Sequence, residues 1–184
     1  MKPGKNFFTL IEILTVAAII AVLAGISVGV IGLISNKNAE AKTQATIKAL
    51  ELALGQFKAD NGHIFVPAGY NIAAPAPVRL IVPKDIPAGS LNGTLFKYLD
   101  QKLLNSASIV DGDNRYFIDG WGRPLIFRIP GKFNKTGFDL GSVGSDGKVG
   151  DGNGSEITAS ALPSASDYES YFGQGDDITN FLRN

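Results

Sequence analysis

From Ile13 to Ile34 the chain runs for 22 residues without a charged side chain. As a helix that stretch would be roughly 33 Å long, close to the ~30 Å hydrocarbon core of a bilayer. Lys2 and Lys5 precede it, which favours a cytoplasmic N-terminus and an exported remainder; Lys37 and Lys42 follow it and weaken the asymmetry. Glu12 stands at its front edge, the only charge between Lys5 and Lys37.

Three readings of that arrangement are open. A cleaved secretory signal could use Ala39–Ala41 as its small-residue site, but its apolar region would far exceed the roughly 7–15 residues usual for such signals. A plain single-span anchor fits the length, with Glu12 reaching interfacial water. The third gives Glu12 work to do. A carboxylate at mid-membrane costs about 2.5–3.5 kcal/mol, so it needs a cationic partner. None lies in the span. The free amino terminus of another copy would serve if the leader were removed just upstream.

The inventory excludes several functions. Seventeen basic and seventeen acidic residues cancel, so no overall field favours nucleic acid. The absence of cysteine removes disulfides, thiolate metal sites and cysteine nucleophiles. With His63 as the single histidine, nucleophilic triads and zinc sites have almost no material, and no catalytic role is expected.

Past Asn36 the pattern stays helical. Ala45, Ile47, Leu50, Leu54 and Phe57 recur at threes and fours, with Ala49 and Ala53 expected on the same side. Asp60-Asn61-Gly62 supplies the stop. A continuous helix from Phe8 to Asp60 would be roughly 80 Å long; a hinge between two helices is the alternative. Gly25 and Gly29 form a small-xxx-small pair suited to close helix packing.

The remainder is rich in glycine and proline. Residues 63–90 read as irregular, with one short strand around Arg79 to Val82, and Leu91 to Leu104 as a short helix. "NRYFIDG", "RPLIFRI" and "TGFDLGSV" predict a small antiparallel sheet laid on the amphipathic helix. "DGDN" at 111–114 reads as a turn. The acidic, glycine-rich stretch 141–156 and the terminal "GQGDDITNF" suit calcium, which takes about 6–8 oxygen ligands from carboxylates and carbonyls. Asp146, Asp176 and Asp177 offer three carboxylates; Asp151 and Glu156, within residues 151–172, are competing candidates. A solvated acidic loop is the rival reading, and no EF-hand spacing is present.

"FTLIEILTVAAIIAVLAGI" (Phe8 to Ile26) resembles the N-terminal segment of type IV pilins and type II secretion pseudopilins. The resemblance implies cleavage by a prepilin peptidase between Phe7 and Phe8, a methylated Phe8, and Glu12 as fifth residue, pairing with a neighbour's Phe8 amine. Phe7 departs from the family's small residue there, and Gly4 is the alternative cut. "FIDGWGRPLIFRIPGK…FDLGSVGSDGK" (Phe117 to Lys148) is similar to the C-terminal part of the major pseudopilins of type II secretion, with Gly120 in place of the family's proline.

These resemblances imply an α+β pilin-like fold: leader 1–7, transmembrane and assembly helix 8–34, amphipathic continuation 35–61, and exported domain 62–184. In that domain a calcium loop at 141–178 would bind through Asp146, Asp176, Asp177 and a carbonyl near Val143. They imply a structural filament subunit of type II secretion, a homopolymer through its N-terminal helices, working with an inner-membrane platform and minor pseudopilins. It would sit single-pass in a bacterial inner membrane with its C-terminal domain periplasmic. An adhesive, motility or competence pilin and a monomeric anchored periplasmic binding module are the alternatives.

Overall fold

The computed structural model describes residues 9–84, 95–158 and 161–181, with the side chains of residues 26–31 left outside the description. The chain divides into two units, Met1–Lys37 and Asn38–Asn184. Helix α1 (Leu10–Asn61) supplies most of the first and opens the second. Gly62 follows at φ +73°, its N–H donating to the Lys58 carbonyl at 2.9 Å. A left-handed residue past the last turn is where glycine escapes the Cβ penalty. Among the described residues no helix is long and apolar enough to cross a membrane. The expected span includes the undescribed side chains 26–31.

In the second unit α1 buries Thr43, Thr46, Ile47, Leu50, Ala53, Leu54 and Phe57. The period was expected, but Ala45 and Ala49 are exposed rather than buried. Their positions fall on a flank of the stripe centred on Leu50.

The strands are β1 (Val78–Arg79), β2 (Ile81–Pro83), β3 (Ser108–Asp111), β4 (Asn114–Phe117), β5 (Ile126–Arg128), β6 (Asp139–Ser142) and β7 (Ile178–Thr179). They form two antiparallel sheets, β1-β5-β6-β7 and β2-β4-β3, where one was expected. The chain changes sheet at Leu80, which is fully buried. The "DGDN" turn joins β3 to β4, with Gly112 at φ +61°. The expected helix 91–104 resolves, over its described part, into a 3₁₀ turn (Leu95–Tyr98) and helix α2 (Gln101–Ser106). Asp100 interrupts and caps α2, accepting from the Lys102 N–H at 2.9 Å.

Two cores result. The larger joins Ile47, Leu50, Leu54 and Phe57 of α1 to Leu80, Phe117, Phe127 and Leu140. The smaller gathers Ile126, Val143, Val149, Ile157, Tyr168 and Phe172. Phe127 and Ile126 are neighbours on β5 and serve opposite cores, as alternation requires. Helix α3 (Ala165–Tyr171) carries Tyr168 into the smaller core and is capped by Ser164, whose hydroxyl accepts from the Asp167 N–H at 3.1 Å. The region expected as a glycine-rich loop is therefore a packed layer over the second face of the larger sheet. Gly141 makes room for it: a Cβ there would lie 2.9 Å from the Phe172 ring.

Candidate functional site

The N-terminal candidate is Glu12. Thr9 precedes α1, and both its N–H and its hydroxyl donate to Glu12 Oε2 at 2.8 Å. The Glu12 N–H returns a bond to Thr9 Oγ1 at 3.4 Å. This reciprocal pairing is a capping box, satisfying donors that the first helical turn leaves open. Glu12 is thus held within its own chain, ready-oriented at a helix end. Around it Leu10, Ile11, Ile13 and Leu14 are 61–82 % exposed. Phe7 and Phe8, the expected cleavage pair, lie outside the described residues.

The second candidate is built by the turn 119–123. Asp119 is completely buried. Its Oδ1 accepts from the N–H groups of Trp121 and Arg123, at 2.9 and 2.8 Å, and its Oδ2 from the Ser142 hydroxyl at 2.7 Å. Arg123 then reaches across to donate to the carbonyls of Gly144 and Ser145. The turn docks on α1 through Gly120, whose N–H donates to Thr43 Oγ1 at 2.8 Å. A Cβ at 120 would overlap the Ala39 carbonyl.

On that base the chain's two acidic segments come together. Asp176 Oδ2 accepts from the Ser145 N–H and hydroxyl, at 2.6 and 2.7 Å, and from the Asp146 N–H at 3.2 Å. Asp177 Oδ2 accepts from the N–H groups of Gly150 and Gly173, at 3.0 and 2.8 Å. Asp146 Oδ1 accepts from the Lys148 N–H at 2.8 Å. Val143, buried in the smaller core, leads into Gly144, where a Cβ would overlap Asp176. Asp151 and Glu156 carry exposed side chains, and the Glu156 backbone bridges to Lys148.

One atom in this set is unsatisfied. Asp177 Oδ1 is buried and meets no hydrogen-bond donor. Burial pushes the Asp177 carboxyl up to about 7; the charges of Asp176 and Asp146 add to that, against the pull of its two N–H donors. An orphaned buried carboxylate oxygen with other carboxylates nearby fits a cation. Among the described residues, no three His, Cys, Asp or Glu side chains come together as a metal-binding group. A cation here would therefore take part of its shell from main-chain carbonyls.

The sequence reading passed over Asp139 altogether. It is fully buried and accepts from the N–H groups of Lys132, Phe133 and Asn134, at 2.6, 3.1 and 2.8 Å, and from the Tyr168 hydroxyl at 2.9 Å. Such complete satisfaction makes it a structural clasp between β6 and α3. A single aspartate between Phe138 and Leu140 was its one sequence signal. His63 is exposed, its Nδ1 3.0 Å from the Asn61 carbonyl.

Neither a protein-family model nor a solved structure matches the chain. Two curated proteins do, both called type II secretion system core protein G. The one from Aeromonas hydrophila is 30% identical over 152 residues, covering 81% of this chain and 89% of that protein. The one from Pseudomonas aeruginosa is 30% identical over 153 residues, with the same coverages.

Proposed function

The chain belongs to the core protein G family of type II secretion systems, the major pseudopilins, and from this we infer that it is a structural subunit of the pseudopilus. The observation that carries this is the match along four-fifths of the chain to proteins of that one name. An adhesive pilin and a monomeric anchored module are not favoured by these relatives. Their name also fits a structural, non-catalytic part.

The finer mechanism is the one that the resemblance of Phe8 to Ile26 to pilin N-terminal segments implies. A prepilin peptidase removes residues 1–7, and Phe8 becomes the methylated N-terminus. The apolar run through Ile34 holds the subunit in the inner membrane, with the C-terminal unit on the periplasmic side, until a platform and minor pseudopilins draw it into the polymer. Glu12 of one copy pairs with the Phe8 amine of another, so each subunit carries both halves of the bond that replaces its lipid surroundings. The capping box supports this reading, because Thr9 holds the carboxylate at the end where an incoming amine would arrive.

Calcium is proposed at Asp177 and Asp176, with Asp146 and the main chain near Val143 completing the shell. The orphaned Asp177 Oδ1 supports it. The cation would supply positive charge to the buried Asp177 oxygen and tie residues 143–150 to 173–177.

The deciding experiment is the intact mass and N-terminal sequence of the protein extracted from its own membranes. A chain beginning at methylated Phe8 is expected. A chain beginning at Met1, or after Ala41, would falsify the Glu12 pairing.

A further inference from the structure

Within the second unit, α1 has two unlike flanks. At about 100° per residue, Glu40 and Gln44 fall to one side of the buried line Thr43–Leu50–Phe57, and Lys42, Ala45, Ala49 and Leu52 to the other. The first flank borders a cleft of about 530 Å³, lined by Glu40, Gln44, Trp121, Asp176, Thr179 and Phe181. The second borders a groove of about 390 Å³, lined by Lys42, Ala45, Ala49, Leu52, Lys102 and Leu103. Leu52 is 62% exposed there, large for an aliphatic side chain on a packed helix.

The charges on the two flanks are opposite. Asp100 also borders the groove and caps α2 without losing its charge, so Lys42 and Lys102 outweigh it two to one. The cleft is bordered by Glu40, Asp176 and Asp177 and, among the described residues, by no lysine or arginine. A subunit that meets its neighbour through one self-complementary patch closes as a dimer; an open helical polymer needs two different patches that fit each other. These flanks meet that requirement.

Resting on the filament-subunit reading above, we propose that the lysine-bearing groove of one copy docks on the acidic cleft of the next. Lys102 faces Glu40 across the contact, with Lys42 beside it, and Leu52 and Leu103 are covered by the Trp121 and Phe181 side. The occupant of the cleft is thus a second copy of this chain. Paired charges fix the register between neighbouring globular units and exclude a like-on-like encounter.

The test is a charge exchange in the full-length chain, read as filament yield. Glu40→Lys and Lys102→Glu are each expected to lower yield roughly tenfold, and the double variant to recover to within about twofold of wild type. Singles that assemble like wild type, or a double no better than either single, overturn the contact. A wild-type chain that forms no filament overturns the subunit reading instead. Because the chain lacks cysteine, Glu40→Cys combined with Lys102→Cys gives a readout independent of yield. Oxidised filaments should show a ladder of cross-linked multimers, absent from either single variant. Filaments that form without a ladder overturn the contact as well.

Discussion

The beginning and the end of the chain handle polar and apolar groups in opposite ways. In the first unit nearly every described large side chain is exposed, Leu10 through Leu23 among them at 54–82 %. Its one carboxylate is satisfied by a residue three positions away. From Asp119 to Phe181, carboxylates are met by donors up to 31 residues distant, and aromatic rings close a second core. The first region leaves its described apolar side chains uncovered by its own chain. The second is nearly finished within itself: among its described residues, Asp177 Oδ1 and Arg128 Nε are the buried side-chain polar atoms without a partner. On the proposed pseudopilus reading, assembly falls to the first region and folding to the second.

The largest expected effect separates those two tasks. Glu12→Ala should abolish incorporation into filaments while leaving the thermal unfolding of the C-terminal unit where it was. A matched loss of folding would break the division. Next, Phe172→Ala should cost about 3–5 kcal/mol in chemical unfolding, as loss of a fully buried ring does, with α3 released from the sheet. A cost below about 1 kcal/mol would mean the second core is not a stabilising layer.

Asp177 sharpens the comparison through pH. Its folded carboxyl titrates near 7 against an ordinary 3.8, so the folded chain holds a proton that the unfolded chain has released. In chelator, stability should therefore fall as pH rises from about 4 to about 7 and level off beyond. Calcium should reverse that trend by occupying the oxygen that the proton leaves, and Asp177→Asn should remove the slope in chelator. Urea midpoints at pH 5 and pH 8, with and without calcium, decide it; a calcium effect of zero at both pH values would end the metal proposal. The smallest effect belongs to Thr9→Val. Loss of the cap should cost about 0.5–2 kcal/mol of local helix stability, seen as faster amide exchange in the first turn and not at Leu50.

What could be read from the sequence was local. The helix stop was legible because Gly62 is punctuation, and Leu50, Leu54 and Phe57 because their period is unambiguous. Strands β4, β5 and β6 showed as short apolar runs between turns. Helix α3 did not, since seven residues bearing two tyrosines among polar neighbours look like an insert until Tyr168 finds Asp139. The unbroken run Leu125-Ile126-Phe127 was the missed clue: a strand apolar on both faces implies a layer on each. The distant carboxylate pairings were beyond reach, because Asp119 with Ser142 and Asp176 with Ser145 join residues 23 and 31 positions apart.

Gly120 ties the turn 119–123 to α1 in a way that proline could not. Its N–H bond to Thr43 is one that proline cannot donate, and a Cβ at 120 would overlap the Ala39 carbonyl. Two positions 77 residues apart are thereby coupled. Proline at 120 would leave the Thr43 hydroxyl with its bond to the Ala39 carbonyl alone, and the helix backbone beneath it would have to move.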